Sequence, residues 1–500
     1  MDRAGFLYKT FLGCFSYETT PCQEKLLRQV SSFITADEDI LVVNGYAGTG
    51  KTSALAAVVG GLASLQIPCV LLAPTGRSAK VLSGYCGKPA STIHKHIYRQ
   101  KSFGADGQGL FSLSPNKAKG TLFIVDEVSL IGISSGEGGG AFGSGNLLAD
   151  LVAFVRAGVD CKLILVGDAA QLPPVGLEES PALSPDYMEG FGGVSYATLT
   201  TVVRQAADSG ILMNATHLRT LLDSMDEPIG LEDLGLEIPD QVGDDGHARP
   251  LSRHSRPLSR HSRLDRESPD IQRLSGAELL EALSDAYDKY GSDEVAVLCR
   301  SNKRAVRYNM GIRAQVLYRE EKLCRGDRLM VVKNNYREDL EGTDYIANGD
   351  IAELVRIRHY EERYGLHFAD ATLSFPDYGG QEIETKVLLD TLDSESPALG
   401  REQAQALWKG VSADYAHLTT KKKRYEAVRS DPFYSALQLK YAQAITCHKA
   451  QGGQWDCVFI DNPFWQDFLV PDDIKWLYTA LTRAVQKVYL VNFPDSLFVQ

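Results

Sequence analysis

Residues 40–53 read ILVVNGYAGTGKTS: an apolar run, one asparagine, then a glycine-rich turn that ends in Gly50, Lys51 and Thr52. A short apolar run with no polar alternation is the pattern of a strand buried on both faces, which means a parallel sheet covered by helices. In the turn, glycines let backbone N–H groups wrap a phosphate at the start of a helix. A lysine at this spacing reaches the outer phosphate oxygens, and the following threonine hydroxyl is placed for a magnesium ion. The stretch predicts strand, phosphate-binding loop and helix in that order, with Gly48, Thr49, Gly50, Lys51, Thr52 and Ser53 around a nucleotide.

Working outward, PCVLLAP (68–74), TLFIVDE (121–127) and CKLILVG (161–167) repeat the buried-strand pattern, so the first part of the chain reads as a doubly wound α/β domain. EVAVLCRSN (294–302), WDCVFIDNP (455–463) and KVYLVNF (487–493) begin and close a second such unit. At the end of TLFIV, Asp126 can hold a magnesium shell and Glu127 can orient and deprotonate water, a reading that gains its weight from the phosphate loop upstream. Gln171 follows the strand LILVG and could reach a γ-phosphate, and Pro173 and Pro174 stiffen its loop.

Three segments interrupt this pattern. Residues 132–145 contain seven glycines and predict a mobile loop. Residues 249–262 are the heptapeptide RPLSRHS written twice, expected to be disordered, with a cloning or duplication scar as the alternative. Residues 350–440 alternate in short stretches and then carry the basic run Lys421, Lys422, Lys423, Arg424, which fits a small β-barrel with a helical projection.

Composition bounds what remains. The formal charge is −12, from 52 Lys and Arg against 64 Asp and Glu, so any nucleic-acid groove must be a local basic surface on an acidic body. The nine cysteines are scattered without a C-x-x-C pair, which suits reduced thiols. No signal-like leader or membrane-length apolar run is evident, and a cytoplasmic protein is expected.

GDAAQLPPV (167–175), placed after GYAGTGKT, APTGRSAK and VDEVS, resembles the superfamily 1 helicases of the B type, the group that includes RecD, Dda and the Pif-type enzymes. The resemblance runs from Gln23 to Arg483 and is nearest to the Dda and RecD side. It implies two RecA-like domains, with a hairpin insertion in the first and a small SH3-like barrel plus helical insertion in the second. The implied boundaries are 1–200 for the first domain (hairpin at about 95–119), 201–349 with 441–500 for the second (disordered loop at about 240–272), and 350–440 for the inserted barrel. The implied activity is ATP- and magnesium-dependent 5′-to-3′ translocation on single-stranded DNA with duplex unwinding. The alternative is a RecD-like motor subunit or ATP switch that unwinds little without a partner.

Residue roles come across the same way. Gln23 matches the adenine-reading glutamine. Arg204 in TTVVRQ and Arg483 in LYTALTRA match arginines that reach the γ-phosphate from across the cleft, in catalysis with Lys51, Glu127 and Gln171. On the DNA track, Pro74, Thr75 and Gly76, Thr92 and His94, Asn302, and Thr446, His448, Lys449 and Gln451 match family contacts. Relatives carry an acidic residue where this chain has Gln454, which leaves a ribose contact there open. The hairpin, with Tyr98, Phe103 and Phe111, is the expected strand-separating wedge. Single-stranded and forked DNA are the implied partners, together with a single-stranded-DNA-binding, replication or repair protein, no membrane, and a monomeric chain.

Overall fold

The structure, a computed structural model, describes residues 2–103, 109–133, 143–203, 209–225, 227–238, 270–336 and 345–499. Two parallel sheets organise them. The first has six strands in the order Ala90–Thr92, Cys69–Ala73, Leu122–Val125, Lys162–Gly167, Ile40–Gly45 and Val194–Leu199. Every neighbouring pair is parallel. Successive residues of a strand point to opposite faces, and this divides the apolar run at residues 40–43 between two cores. Leu41 and Val43 pack with Leu7, Leu27 and Val58 from the helices Arg3–Gly13, Pro21–Thr35 and Lys51–Ser64. Ile40 and Val42 pack with Leu148, Leu151 and Val155 of helix Leu147–Arg156.

The second sheet, also parallel throughout, runs Ile271–Leu274, Ala484–Val491, Trp455–Asp461, Val295–Cys299, Ala444–Thr446. Its two faces are split by the same alternation, with Ala296 and Leu298 on one side and Val295, Val297 and Cys299 on the other. Both sheets are RecA-like cores, and the fold class is the one the sequence implied. Ala170 and Leu172, which follow a first-sheet strand, are buried in the second domain's core beside Trp476 and Leu477, so the two domains share an apolar seam.

Between strands of the second domain sits a closed five-stranded barrel of Arg328–Val331, Ile351–Arg363, Leu366–Phe375, Gln381–Leu388 and Leu437–Tyr441. The boundary at 350 therefore moves. Arg328–Val331 is needed to close the barrel, because it pairs with Ile351–Glu353 on one side and Leu439–Tyr441 on the other. A four-residue strand is too short to show a period, which is why it read as part of the preceding domain. The helices Arg401–Asp414 and Lys421–Ser430 project between the last two barrel strands.

In the first domain Tyr98–Phe103 and Gly109–Leu113 form an antiparallel hairpin. The repeat at 249–262, most of the glycine-rich loop and Arg204 lie outside the described residues. All nine cysteines are free thiols. No helix among the described residues is long and apolar enough to cross a membrane.

Candidate nucleotide cleft and nucleic-acid track

The phosphate loop takes its shape from glycines. Gly48 and Gly50 have φ of 71° and 74°, in the left-handed region that side chains disfavour. A Cβ on Gly50 would also come within 2.4 Å of the Gln23 amide nitrogen. The loop delivers Lys51 to the first position of helix Lys51–Ser64, where its ammonium donates to the carbonyls of Gly45 at 2.7 Å and Tyr46 at 3.1 Å.

Asp126 and Glu127 leave the end of strand Leu122–Val125, one strand removed from Ile40–Gly45, with Asp126 accepting from the Glu127 N–H at 2.9 Å. Burial, reinforced by the neighbouring Glu127 charge, raises the Asp126 carboxyl to about 7. Glu127 itself has a φ of 54°, a strain that persists only where the surroundings impose it. Among the described residues no three His, Cys, Asp or Glu gather as a metal cage. A magnesium ion bound by the Thr52 hydroxyl, the Asp126 carboxylate, nucleotide phosphates and water needs no such cage, and this donor set fits it.

These groups line one wall of a cleft of about 820 Å³ between the domains, and Gly452 to Trp455 and Thr482 to Val485 line the other. Gln171 is buried in the first wall, where its amide oxygen has no hydrogen-bond partner among the described residues. Arg483 comes from the opposite wall, held by the Thr479 carbonyl at 3.1 Å, the Thr482 hydroxyl at 3.1 Å and the Gly453 carbonyl at 3.4 Å. Gln454 lines the same wall.

Gln23 sits elsewhere. It belongs to the capping box of helix Pro21–Thr35, where its oxygen accepts from the Thr20 N–H at 2.9 Å. Its nitrogen donates to the Thr49 carbonyl at 2.9 Å. The residue braces the phosphate loop from beneath and is not among those lining the cleft, because capping and bracing occupy the amide.

Three residues to which sequence reasoning gave no role, none of them lining the cleft, link the second domain to the phosphate loop. Asp168 is fully buried and forms ion pairs with Arg219 and, at 3.8 Å, with Lys51. The Tyr478 hydroxyl donates to Asp168 at 2.5 Å and accepts from the Ala47 N–H of the phosphate loop at 2.9 Å. Burial first, then the Asp168 charge, drives the Tyr478 phenol well above its ordinary pKa. Arg219 also lies 3.9 Å over the Tyr46 ring. Asp168 and Tyr478 stand inside the motif words GDAAQ and LYTALTRA, but neither word says that the two side chains meet.

The expected nucleic-acid residues lie mostly at the carboxyl ends of parallel strands, where α/β sheets bind ligands. Pro74, Thr75 and Gly76 follow Cys69–Ala73; Thr75 caps the next helix, its hydroxyl accepting from the Ser78 N–H at 3.2 Å. Gly76 admits Ala347 of the second domain so closely that a Cβ would meet it at 2.3 Å. Thr92 caps the helix Ile93–Ile97, and His94 is held neutral by burial. Asn302, Thr446 and Lys449 surround one small cavity. Burial, then the Lys440 charge, lowers the Lys449 ammonium to about 8, and His448 is likewise lowered by burial.

Two expectations are corrected. Tyr98 is buried, with its hydroxyl donating to Asp150 at 2.7 Å, and Phe111 packs on the same core, so both anchor the hairpin's foot. An amphipathic hairpin reads the same at foot and tip, and only the packing of helix Leu147–Arg156 distinguishes them. The Phe103 side chain lies outside the described residues. Gln451 donates to the Leu172 carbonyl at 2.9 Å, so it ties the two domains together instead of facing a track.

Comparison with known proteins agrees with this geometry. The model of the AAA domain matches residues 19–221, and that of the UvrD-like helicase C-terminal domain matches residues 441–491. The Dda ATP-dependent DNA helicase of Enterobacteria phage T4 is 24% identical over 502 residues, covering 95% of this chain and 99% of that one. The ATP-dependent RecD2 DNA helicase of Deinococcus radiodurans is 35% identical over 185 residues. The chain thus resembles the RecD- and Dda-like superfamily 1 helicases. Against this group its length varies: the RecD2 match spans 37% of this chain but only 22% of that protein, and a Methanocaldococcus jannaschii relative, 21% identical over 478 residues, is matched over 90% of this chain and 36% of its own length. A solved Pif1 helicase from Bacteroides, in complex with ADP-AlF3 and ssDNA, overlays 97% of this chain and 95% of its own with a TM-score of 0.47 at 15% identity, too loosely to transfer residue roles.

Proposed function

We propose that this RecD/Dda-like chain is an ATP-driven motor that steps 5′ to 3′ along single-stranded DNA and separates duplex strands ahead of it. The observation that carries the reading is the division of one cleft between two domains: Lys51, Glu127 and Gln171 stand on one wall and Arg483 on the other. Hydrolysis in such a cleft depends on the domains closing, and closure is a displacement.

In this reading the loop amides from Gly48 to Ser53 and the Lys51 ammonium bind the β and γ phosphates. Thr52 and Asp126 would hold magnesium, which would supply neutralising charge to the phosphates. Glu127 orients the attacking water and takes its proton, Gln171 contacts the γ-phosphate, and Arg483 neutralises the charge that spreads over the γ-phosphoryl oxygens. Arg204 is assigned the companion arginine role, Gln454 lies beside the ribose, and Gln23 supports the adenine side by bracing the loop. Pro74 to Gly76, Thr92, His94, Asn302, Thr446, His448 and Lys449 grip the strand through phosphates, which suits binding without sequence preference. Single-stranded and forked DNA are the substrates, the chain acts as a monomer, and replication or repair proteins are its setting.

Steady-state ATP hydrolysis by the purified protein, with and without oligothymidylate, tests this. Stimulation by the oligonucleotide, lost in Lys51→Ala, is expected. Hydrolysis indifferent to single strands would overturn the motor reading.

A further inference from the structure

Most large apolar side chains of the second domain are buried, yet Trp465 is 75% exposed. The segment that carries it is fixed on both sides. Phe464 packs edge-on against Phe493 at 5.9 Å, and its N–H donates to the Asn462 side chain at 3.0 Å. Phe468–Leu469 pairs with Ile229–Gly230, with Leu469 fully buried. The indole therefore projects from an anchored loop.

Its position follows from topology. The strands Trp455–Asp461, Val295–Cys299 and Ala444–Thr446 are neighbours in the parallel sheet. Their carboxyl ends lead into Trp465, into Arg300 and Asn302, and into His448 and Lys449 respectively. The Arg300 guanidinium lies 5.3 Å over the Trp465 ring and pairs with Asp473, which itself caps helix Pro471–Leu481. That cap fixes the arginine, and the arginine orients the indole. The His448 pKa is lowered first by burial and then by the Arg300 charge, so the same cation acts on both the indole and the histidine. An aromatic plate with a fixed cation, on the edge that carries Asn302, Thr446 and Lys449, has the chemistry that holds an unpaired nucleobase: a π-face for the base and positive charge for its phosphate.

We propose that Trp465, held by Arg300, is a stacking platform for one nucleobase of the bound single strand. The inference rests on the motor reading above and adds a contact to bases where that reading supplies contacts to phosphates.

The other tryptophans are shielded, with Trp455 and Trp476 buried and Trp408 packed against Tyr425 and Tyr434. Quenching of tryptophan fluorescence by oligothymidylate should therefore come mainly from Trp465. In Trp465→Phe the quenching should largely disappear while affinity stays within about threefold of the parent, and in Trp465→Ala the Kd should rise roughly tenfold. An abasic strand of equal length keeps the phosphates and removes the bases, and parent and Trp465→Ala should bind it alike. Parental affinity of Trp465→Ala for oligothymidylate would overturn the platform and leave the motor reading standing. An equal loss toward the abasic strand would overturn it as well, by making the residue a structural one. If the parent itself fails to bind oligothymidylate, the motor reading falls together with the platform.

Discussion

The Tyr478 hydroxyl donates to Asp168 across the domain seam at 2.5 Å while accepting from the phosphate-loop N–H of Ala47 at 2.9 Å. Tyr478 lies five residues before Arg483 on the helix that presents this arginine to the cleft. One phenol thus joins the loop that would hold the phosphates, the acid at the end of a neighbouring strand, and the element that would complete the catalytic set. Movement of the second domain must move this contact, which gives nucleotide state a physical route to domain position.

Tyr478→Phe keeps the packed ring and deletes the bridge. A buried acceptor and a backbone donor each lose a partner, so stability should fall by about 1–3 kcal/mol. Hydrolysis at saturating single-stranded DNA should fall roughly tenfold, as expected for about 1.4 kcal/mol of lost transition-state organisation. Thermal melting and turnover, measured on one preparation, check both. A variant with parental values in both would mean that the contact is incidental.

Lys51→Ala should abolish hydrolysis and barely change the fold. The lysine's partners are two loop carbonyls, which water can replace, and at 3.8 Å the buried Asp168, which keeps its closer ion pair with Arg219, so a stability change of only about 1 kcal/mol is expected. Residual turnover near the parental rate would remove the phosphate-loop assignment.

Glu127→Gln preserves shape and removes only the base. Nucleotide binding, followed with a fluorescent ATP analogue, should persist, and turnover should drop by roughly 10² or more. Loss of binding along with turnover would reassign Glu127 to a structural or metal-holding role.

Lys449 should make DNA affinity sensitive to pH. Its ammonium is lowered from 10.5 to about 8 by burial and by Lys440, so the positive charge is present below that value and disappears as pH rises through it. Affinity for oligothymidylate should therefore decline between roughly pH 7 and 9, with the salt slope shrinking by about 0.7 for the lost phosphate contact. Bound phosphate would raise the lysine's pKa, so binding near pH 8 should be accompanied by proton uptake. In Lys449→Gln the pH dependence should flatten, and an unchanged profile would take Lys449 off the track.

The hairpin remains the proposed strand separator, with a revised boundary. Tyr98 and Phe111 belong to the core, so replacing residues 101–109 with a glycine-serine linker spares the packing that a cut through residue 113 would damage. Hydrolysis stimulated by single strands should continue and unwinding should collapse. Undiminished unwinding would move strand separation to another element.

The sequence made the two sheets legible because their strands are uninterrupted apolar runs, and it made the nucleotide cleft legible because glycine spacing reports backbone shape directly. Contacts between distant segments were harder to read. Nothing local announces that Arg328–Val331 closes a barrel with Leu437–Tyr441, that Gln451 bonds to Leu172, or that Asp168 meets Tyr478, since each depends on how two separately patterned stretches dock. Tyr98 was misread for the same reason: an aromatic on a hairpin arm is exposed or buried according to what packs beside it. Trp465 carries no motif signal, and its exposure became visible only once Phe464 and Leu469 were seen to be anchored.

The central claim is conversion of ATP hydrolysis into strand separation, and unwinding by the purified chain alone measures it most directly. A forked duplex with a 5′ loading tail, given ATP and magnesium, should be separated, while a duplex with only a 3′ tail should persist and Glu127→Gln should separate neither. Failure to open the 5′-tailed fork, despite hydrolysis stimulated by the same DNA, would contradict the account and leave a motor subunit that needs a partner.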